Sequence, residues 1–232
     1  FRSSNCIEIA EKNYMTEIVY KSFNGDIEKK VVDVLQLIEE RMYRSCKKHR
    51  GLYDSNILIF LSGAQEVRNV HSKFMWLDSR EGLLSGRLKE LGLKTSYKIF
   101  MASGSNNTSF DDKLFEENDF STSVKLIFST KVLETSLTIP GIGFVVDFGN
   151  EVVYSYDYAL GVDRLLNRQI SKDTAEQREG RAGRTGRGVC YRIYKEEDFL
   201  AMEESSESEL VYKNIDNLVL SWVRVVLDDK NK

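Results

Sequence analysis

Asn56-Ile57-Leu58-Ile59-Phe60-Leu61 (NILIFL) is an almost unbroken apolar run, followed at once by Ser62-Gly63-Ala64-Gln65. A run this short and this apolar suits a strand buried on both faces, as in a parallel sheet covered by helices. Four more segments share its character: 97–101 (YKIFM), 124–128 (VKLIF), 144–147 (FVVD) and 188–194 (GVCYRIY). Helical patterns fall between them, at 65–74, 112–116, 131–137 and 174–181. Upstream, Ile27, Val31, Val34, Leu35, Ile38 and Met42 recur every three or four residues, which predicts an amphipathic helix from an Asp26 N-cap to about His49. Extended segments at 6–8 and 16–23 precede it. Strand and helix alternating in this way predict an α/β fold, a largely parallel sheet with helices on both faces.

Residues 151–170 (EVVYSYDYALGVDRLLNRQI) break the rhythm. They read as an inserted β-hairpin, with 152–156 and 162–167 flanking a turn at 159–161. Tyr154, Tyr156 and Tyr158 offer base-stacking surface, and Arg164 and Arg168 suit phosphates. Equally, the tyrosines could simply pack the hairpin onto its domain. Past the last strand an acidic linker, 201–213, leads to an apolar helix at 214–227 containing Trp222. The expected organisation is one domain over 1–200, the linker, and the start of a second, helical domain over 214–232.

Composition narrows the class. Of 232 residues, 41% are apolar and 30% charged, as in an ordinary globular chain. No apolar run approaches the roughly 20 residues that span a bilayer, so no membrane association is expected. Cys6, Cys46 and Cys190 are scattered, and His49 and His71 stand alone. This argues against a disulfide framework or a zinc site and suits a reducing, intracellular compartment, nucleus or cytoplasm. The first residue is Phe1 rather than Met, which gives the expectation of a piece of a longer protein. The net charge of -3 conceals an asymmetry: nine basic and three acidic side chains between Arg164 and Lys195 give that stretch a local charge of +6. Arginines spaced by glycines suit phosphate oxygens.

The densest part of that stretch is Gln177-Arg178-Glu179-Gly180-Arg181-Ala182-Gly183-Arg184. On a helix, Gln177, Arg181 and Arg184 would project from one face, a phosphate clamp or else a basic surface. Gly180 and Gly183 each cost a helix roughly 1 kcal/mol against Ala, so a close backbone or ligand is expected beside them. Ser129-Thr130 follow one buried strand and Ser62-Gly63 another, each opening a helical segment. Hydroxyls and free amides in that position form anion sites, which need not be sequence specific.

LIFLSGAQEV, STKVLETSLTIPGIGFVVDFG and QREGRAGRTGRGVCYRIY occur in the order of motifs IV, V and VI of superfamily 2 helicases. The chain resembles the DEAH/RHA group of RNA helicases over about 7–194. The resemblance implies the second RecA-like domain of an ATP-dependent RNA helicase, with 151–170 similar to the family's strand-separating hairpin and 214–227 to the first helix of its winged-helix domain. Gln177 would position the attacking water or bind the γ-phosphate, and Arg181 and Arg184 would be arginine fingers. Phe115 resembles the aromatic that stacks on adenine, or is a core residue of an amphipathic helix. Ser62, Gly63, Ser129, Thr130 and Lys131 would hold RNA phosphates, with Tyr154, Arg164 and Arg168 on the hairpin. Ser136 and Thr138 lie between the nucleotide site and the RNA track.

Three departures stand out. Lys131 replaces the usual Asn, Pro140 stands where an acid near the ribose is common, and the glutamine-rich run before the stacking Phe is absent. The sequence also contains neither GxxxxGK[ST] nor a DEAH-like tetrapeptide. The phosphate loop, the Mg²⁺ ligands and the general base would therefore sit on the first RecA-like domain, and this chain alone is expected to be inactive. Implied partners are ATP, RNA, that first domain and the C-terminal domains of the same polypeptide, in a monomer open to an activating protein cofactor. The alternatives are a nucleic-acid-binding module of an ATPase-inactive helicase-like protein, or a DNA helicase.

Overall fold

In the computed structural model, residues 14–47, 55–81, 96–104, 111–117, 119–120, 123–134, 138–184, 186–208, 211 and 215–230 are described. Six strands form one parallel sheet: β1 (Thr16–Tyr20), β2 (Asn56–Phe60), β3 (Ser96–Ala102), β4 (Ser123–Ser129), β5 (Ile142–Asp147) and, after the hairpin, β8 (Gly188–Arg192). Their order across the sheet is β1-β8-β5-β2-β4-β3. All five pairings are parallel. Four of the five apolar runs are the inner strands, for every residue of β2, β4, β5 and β8 is buried, whereas the fifth, 97–101, falls in β3 at the edge of the sheet and is only partly covered.

Period-2 alternation then divides each strand between two cores. Ile57, Ile59, Leu126, Phe128 and Val146 face a cluster completed by Val34, Ile38 and Phe74. Those last three come from α1 (Ile27–Lys47) and α2 (Ala64–Glu81). Leu58, Phe60, Ile127, Val145 and Cys190 face the other way, against Leu114, Leu133 and Ala182. The predicted start of α1 holds: Asp26 Oδ1 accepts a hydrogen bond from the Lys29 amide at 2.9 Å.

Several predicted helices are shorter than their patterns. The 112–116 pattern is a single 3-10 turn, Asp112–Leu114, and Lys131–Leu133 is another. Asp111 caps the first and a Glu134 N to Lys131 O bond closes the second, and each buries a single leucine, Leu114 or Leu133. Residues 135–137, including Ser136, and the extended segment at 6–8 lie outside the described residues. The 174–181 pattern becomes α3 (Lys172–Glu179). It begins earlier because the Ser171 side chain caps it, and it stops at Gly180, before Arg181. Ahead of the acidic linker the chain forms α4 (Glu196–Ala201), and further on α5 (Asp216–Lys230) exposes Leu218 and Trp222.

The insertion is a separate two-stranded antiparallel hairpin, β6 (Asn150–Asp157) and β7 (Val162–Gln169). Its turn is closed by Gly161, whose φ of 67° suits a residue without a Cβ.

Candidate functional site

With six parallel strands, segments that lead into a strand gather at one end of the sheet and segments that follow gather at the other. Thr138 lies four residues before β5, and Arg184 four residues before β8, its neighbour in the sheet. Arg184 Nη1 donates to Thr138 Oγ1 at 2.8 Å. Arg181, 8% exposed, donates from Nη2 to the backbone oxygen of Glu134. Both arginines and Thr138 line one shallow crevice floored by Leu58, Leu133, Ile139 and Ile142. Burial lowers the pKa of Arg181, and the charge of Arg184 lowers it further, against the opposing pull of Glu134. Two guanidiniums thus converge where an anion would relieve their repulsion.

The one-face helical arrangement of Gln177, Arg181 and Arg184 is not what forms. Gln177 is exposed on α3, whereas Arg181 and Arg184 follow it in tight turns, Arg181 N donating to Arg178 O and Ala182 N to Glu179 O. The glycines divide likewise. Gly183 does meet a backbone: a Cβ there would lie 2.7 Å from the carbonyl oxygen of Tyr14, and its own oxygen accepts from Tyr14 N. Gly180 meets none so closely and instead ends the helix.

The residue that organises this region was assigned no role from sequence. Arg178 is fully buried; its Nε donates to Glu134 Oε1 at 2.7 Å and its Nη1 to Asp147 Oδ1 at 2.6 Å. Its guanidinium also lies 5.1 Å from the ring centre of Phe60. Burial opposes its charge, but the two carboxylates outweigh burial and hold its pKa above the ordinary value. Glu134 is raised by burial, with Arg178 pulling against the shift. The same Asp147 accepts from Gly149 N and from Tyr194 Oη, so α3, the turn after β4 and the end of β5 share one buried ionic node.

The segments that follow β2 and β4 carry the residues expected on nucleic-acid phosphates. Ser62 N and Oγ both donate to Glu66 Oε2, at 2.8 and 2.7 Å. Gly63 packs under the hairpin, where a Cβ would lie 2.9 Å from Val152 Cγ2. Ser129 is fully buried and its hydroxyl donates to Thr130 O; Thr130 is buried too, which leaves the exposed Lys131 as the surface of that segment. On the hairpin, Tyr154 is 65% exposed and Tyr156 and Tyr158 meet edge to face. Arg164 pairs with Asp157 and Arg168 with the buried Glu151, so both arginines are engaged within the hairpin. Phe115, half-buried, packs against the cluster that contains Leu58, Leu133 and Ile142 of the crevice floor.

Among the described residues no group of three or more His, Cys, Asp or Glu could hold a metal ion. None of the helices there is long and apolar enough to cross a membrane.

The model of the family described as helicase conserved C-terminal domain matches residues 39–186. The ATP-dependent RNA helicase HrpA of Escherichia coli is 29% identical over 229 residues, 99% of this chain and 16% of that protein. The human protein named probable ATP-dependent RNA helicase DHX34 is 34% identical over 195 residues, 84% of this chain and 16% of its own length. The chain therefore spans about a sixth of these relatives. In fold, the crystal structure of the Escherichia coli DEAH/RHA helicase HrpB superposes with a TM-score of 0.65 at 21% identity, covering 92% of this chain and 24% of that one.

Proposed function

Because this chain belongs to the helicase conserved C-terminal domain family, we propose that it is the second RecA-like motor domain of an ATP-dependent RNA helicase resembling the DEAH/RHA group. One observation carries the reading: Arg181 and Arg184, drawn from a turn rather than a helix, line one crevice with Thr138. An ATP polyphosphate suits that crevice, since each guanidinium offers planar, fixed donors to phosphate oxygens. Arg184 is exposed and bound to a neutral hydroxyl, and it swings to phosphate by giving up one hydrogen bond. Arg181 is held more firmly by the Glu134 carbonyl and stabilises negative charge from a fixed place. Gln177 acts on the water or the γ-phosphate, and Phe115 stacks on the base.

The phosphate loop, the Mg²⁺ ligands and the general base belong to the other RecA-like domain of the same polypeptide. Alone, the 232 residues bind phosphate without hydrolysing ATP. RNA phosphates lie on the segments that follow β2 and β4, at Thr130, Lys131 and the Ser62-Gly63 backbone, and the exposed hairpin tyrosines add stacking surface. Because the crevice and the RNA segment share the turn Lys131–Leu133, closure on ATP and release after hydrolysis move the RNA contacts. The proposed setting is intracellular, in nucleus or cytoplasm.

The test uses the full-length protein, with ATP hydrolysis followed with and without single-stranded RNA, and unwinding of a tailed duplex. RNA-stimulated hydrolysis together with strand separation is expected. RNA binding with no hydrolysis would make this a binding module of an inactive protein, and stimulation by DNA alone would make it a DNA helicase.

A further inference from the structure

Lys125 sits on β4, between β2 and the edge strand β3, and is 2% exposed. Burying an ammonium is costly unless its donors are satisfied. Here all three are spent on one short segment: Nζ donates to the carbonyl oxygens of Lys113 at 2.6 Å, Leu114 at 3.0 Å and Glu116 at 2.6 Å. These follow from the 3-10 turn Asp112–Leu114, whose last carbonyls have no partner within the turn. At the other end of the turn, Asp111 Oδ1 accepts from Lys113 N at 3.0 Å. The segment is therefore pinned at both ends, and the side chain displayed between the pins is Phe115.

We propose that Lys125 is a positioning residue for nucleotide binding, which sets Phe115 in place by gathering the backbone oxygens on either side of it. The inference rests on the reading of Phe115 as the residue that stacks on the base. A side chain needed only to fill the core would be apolar, as its face neighbour Ile127 is. Met or Leu would occupy that volume without desolvating a charge, and burial already pulls the pKa of Lys125 below its ordinary value, against the opposing pull of Glu116. What the ammonium adds is the placing of three carbonyls that an apolar side chain would leave unpaired. Phe115 itself is only half-buried.

The experiment is a double-mutant cycle in the full-length protein with Lys125→Met, Phe115→Ala and both together. ATPase KM and kcat are measured for ATP, and inorganic triphosphate, which has no base, is the competing probe. Base stacking on an aromatic is worth roughly a tenfold change in affinity or more. Each single variant should raise the KM for ATP by about that factor, with the effect on KM rather than kcat and with triphosphate inhibition unchanged. The double variant should show no more than one single variant's effect. If Phe115→Ala raises KM and Lys125→Met does not, or if the two effects multiply, Lys125 does not act through Phe115 and the inference fails alone. If Phe115→Ala leaves KM unchanged, the stacking assignment itself fails and takes the inference with it. Should Lys125→Met not fold, Lys125→Gln keeps two donors without the charge, and it should raise KM by less than Phe115→Ala does. An equal or larger rise would contradict the placing role.

Discussion

Arg178 and Asp147 form an ion pair, 2.6 Å from Nη1 to Oδ1, in which neither side chain is exposed to solvent. Removing one partner of such a pair leaves a buried charge, and here Glu134 loses its partner as well. Arg178→Met in this 232-residue chain is therefore expected to lower unfolding free energy by about 3–5 kcal/mol. Urea denaturation of the two proteins checks this. A loss under about 1 kcal/mol would mean that the node is not what joins α3 to β5.

Gly63 is held without a Cβ by the hairpin rather than by its own backbone. Gly63→Ala would place a methyl group 2.9 Å from Val152 Cγ2. Overpacking of this kind costs about 1–3 kcal/mol. The double variant Gly63→Ala with Val152→Ala should recover most of that loss in the same denaturation experiment. Failure to recover it would place the strain elsewhere.

The hairpin separates an unwinding motor from one that only translocates. Tyr154 and Leu165 face each other across β6 and β7, and both are more than 60% exposed. Replacing residues 154–161 with an Asn-Gly turn in the full-length protein should leave RNA-stimulated ATPase within about threefold, yet cut duplex unwinding at least tenfold if each lost base contact is worth about 1–3 kcal/mol. Loss of both activities would make the hairpin structural, and loss of neither would remove it from strand separation.

The sheet was legible because burial on both faces leaves a signature in one strand at a time: NILIFL and VKLIF need no partner to be recognised. The hairpin showed because it broke that pattern. Arg184, expected at the nucleotide, and Thr138, expected between the nucleotide site and the RNA track, are hydrogen-bonded to each other. The arrangement of the arginines was not legible, since spacings of four and three fit a helix, whereas a Ser171 cap and a Gly180 stop end α3 before Arg181. Arg178 was missed because its carboxylates lie 31 and 44 residues away in sequence. Lys125 reads as a lone polar residue in an apolar strand, and its three acceptors are backbone atoms, which no sequence pattern marks. For α4 a signal did exist: Glu196, Glu197 and Asp198 crowd a first turn, where acids favour a helix start, and Asp198 accepts from Lys195 N at 3.1 Å.

If the turn that follows α3 supplies catalytic charge to a bound nucleotide, Arg184→Ala in the full-length protein removes it. RNA-stimulated ATP turnover should fall by about a thousandfold or more, the usual worth of an arginine finger, while RNA affinity without nucleotide changes less than about twofold. Near-normal turnover in a folded variant would contradict the account and return Arg184 to a surface arginine hydrogen-bonded to Thr138.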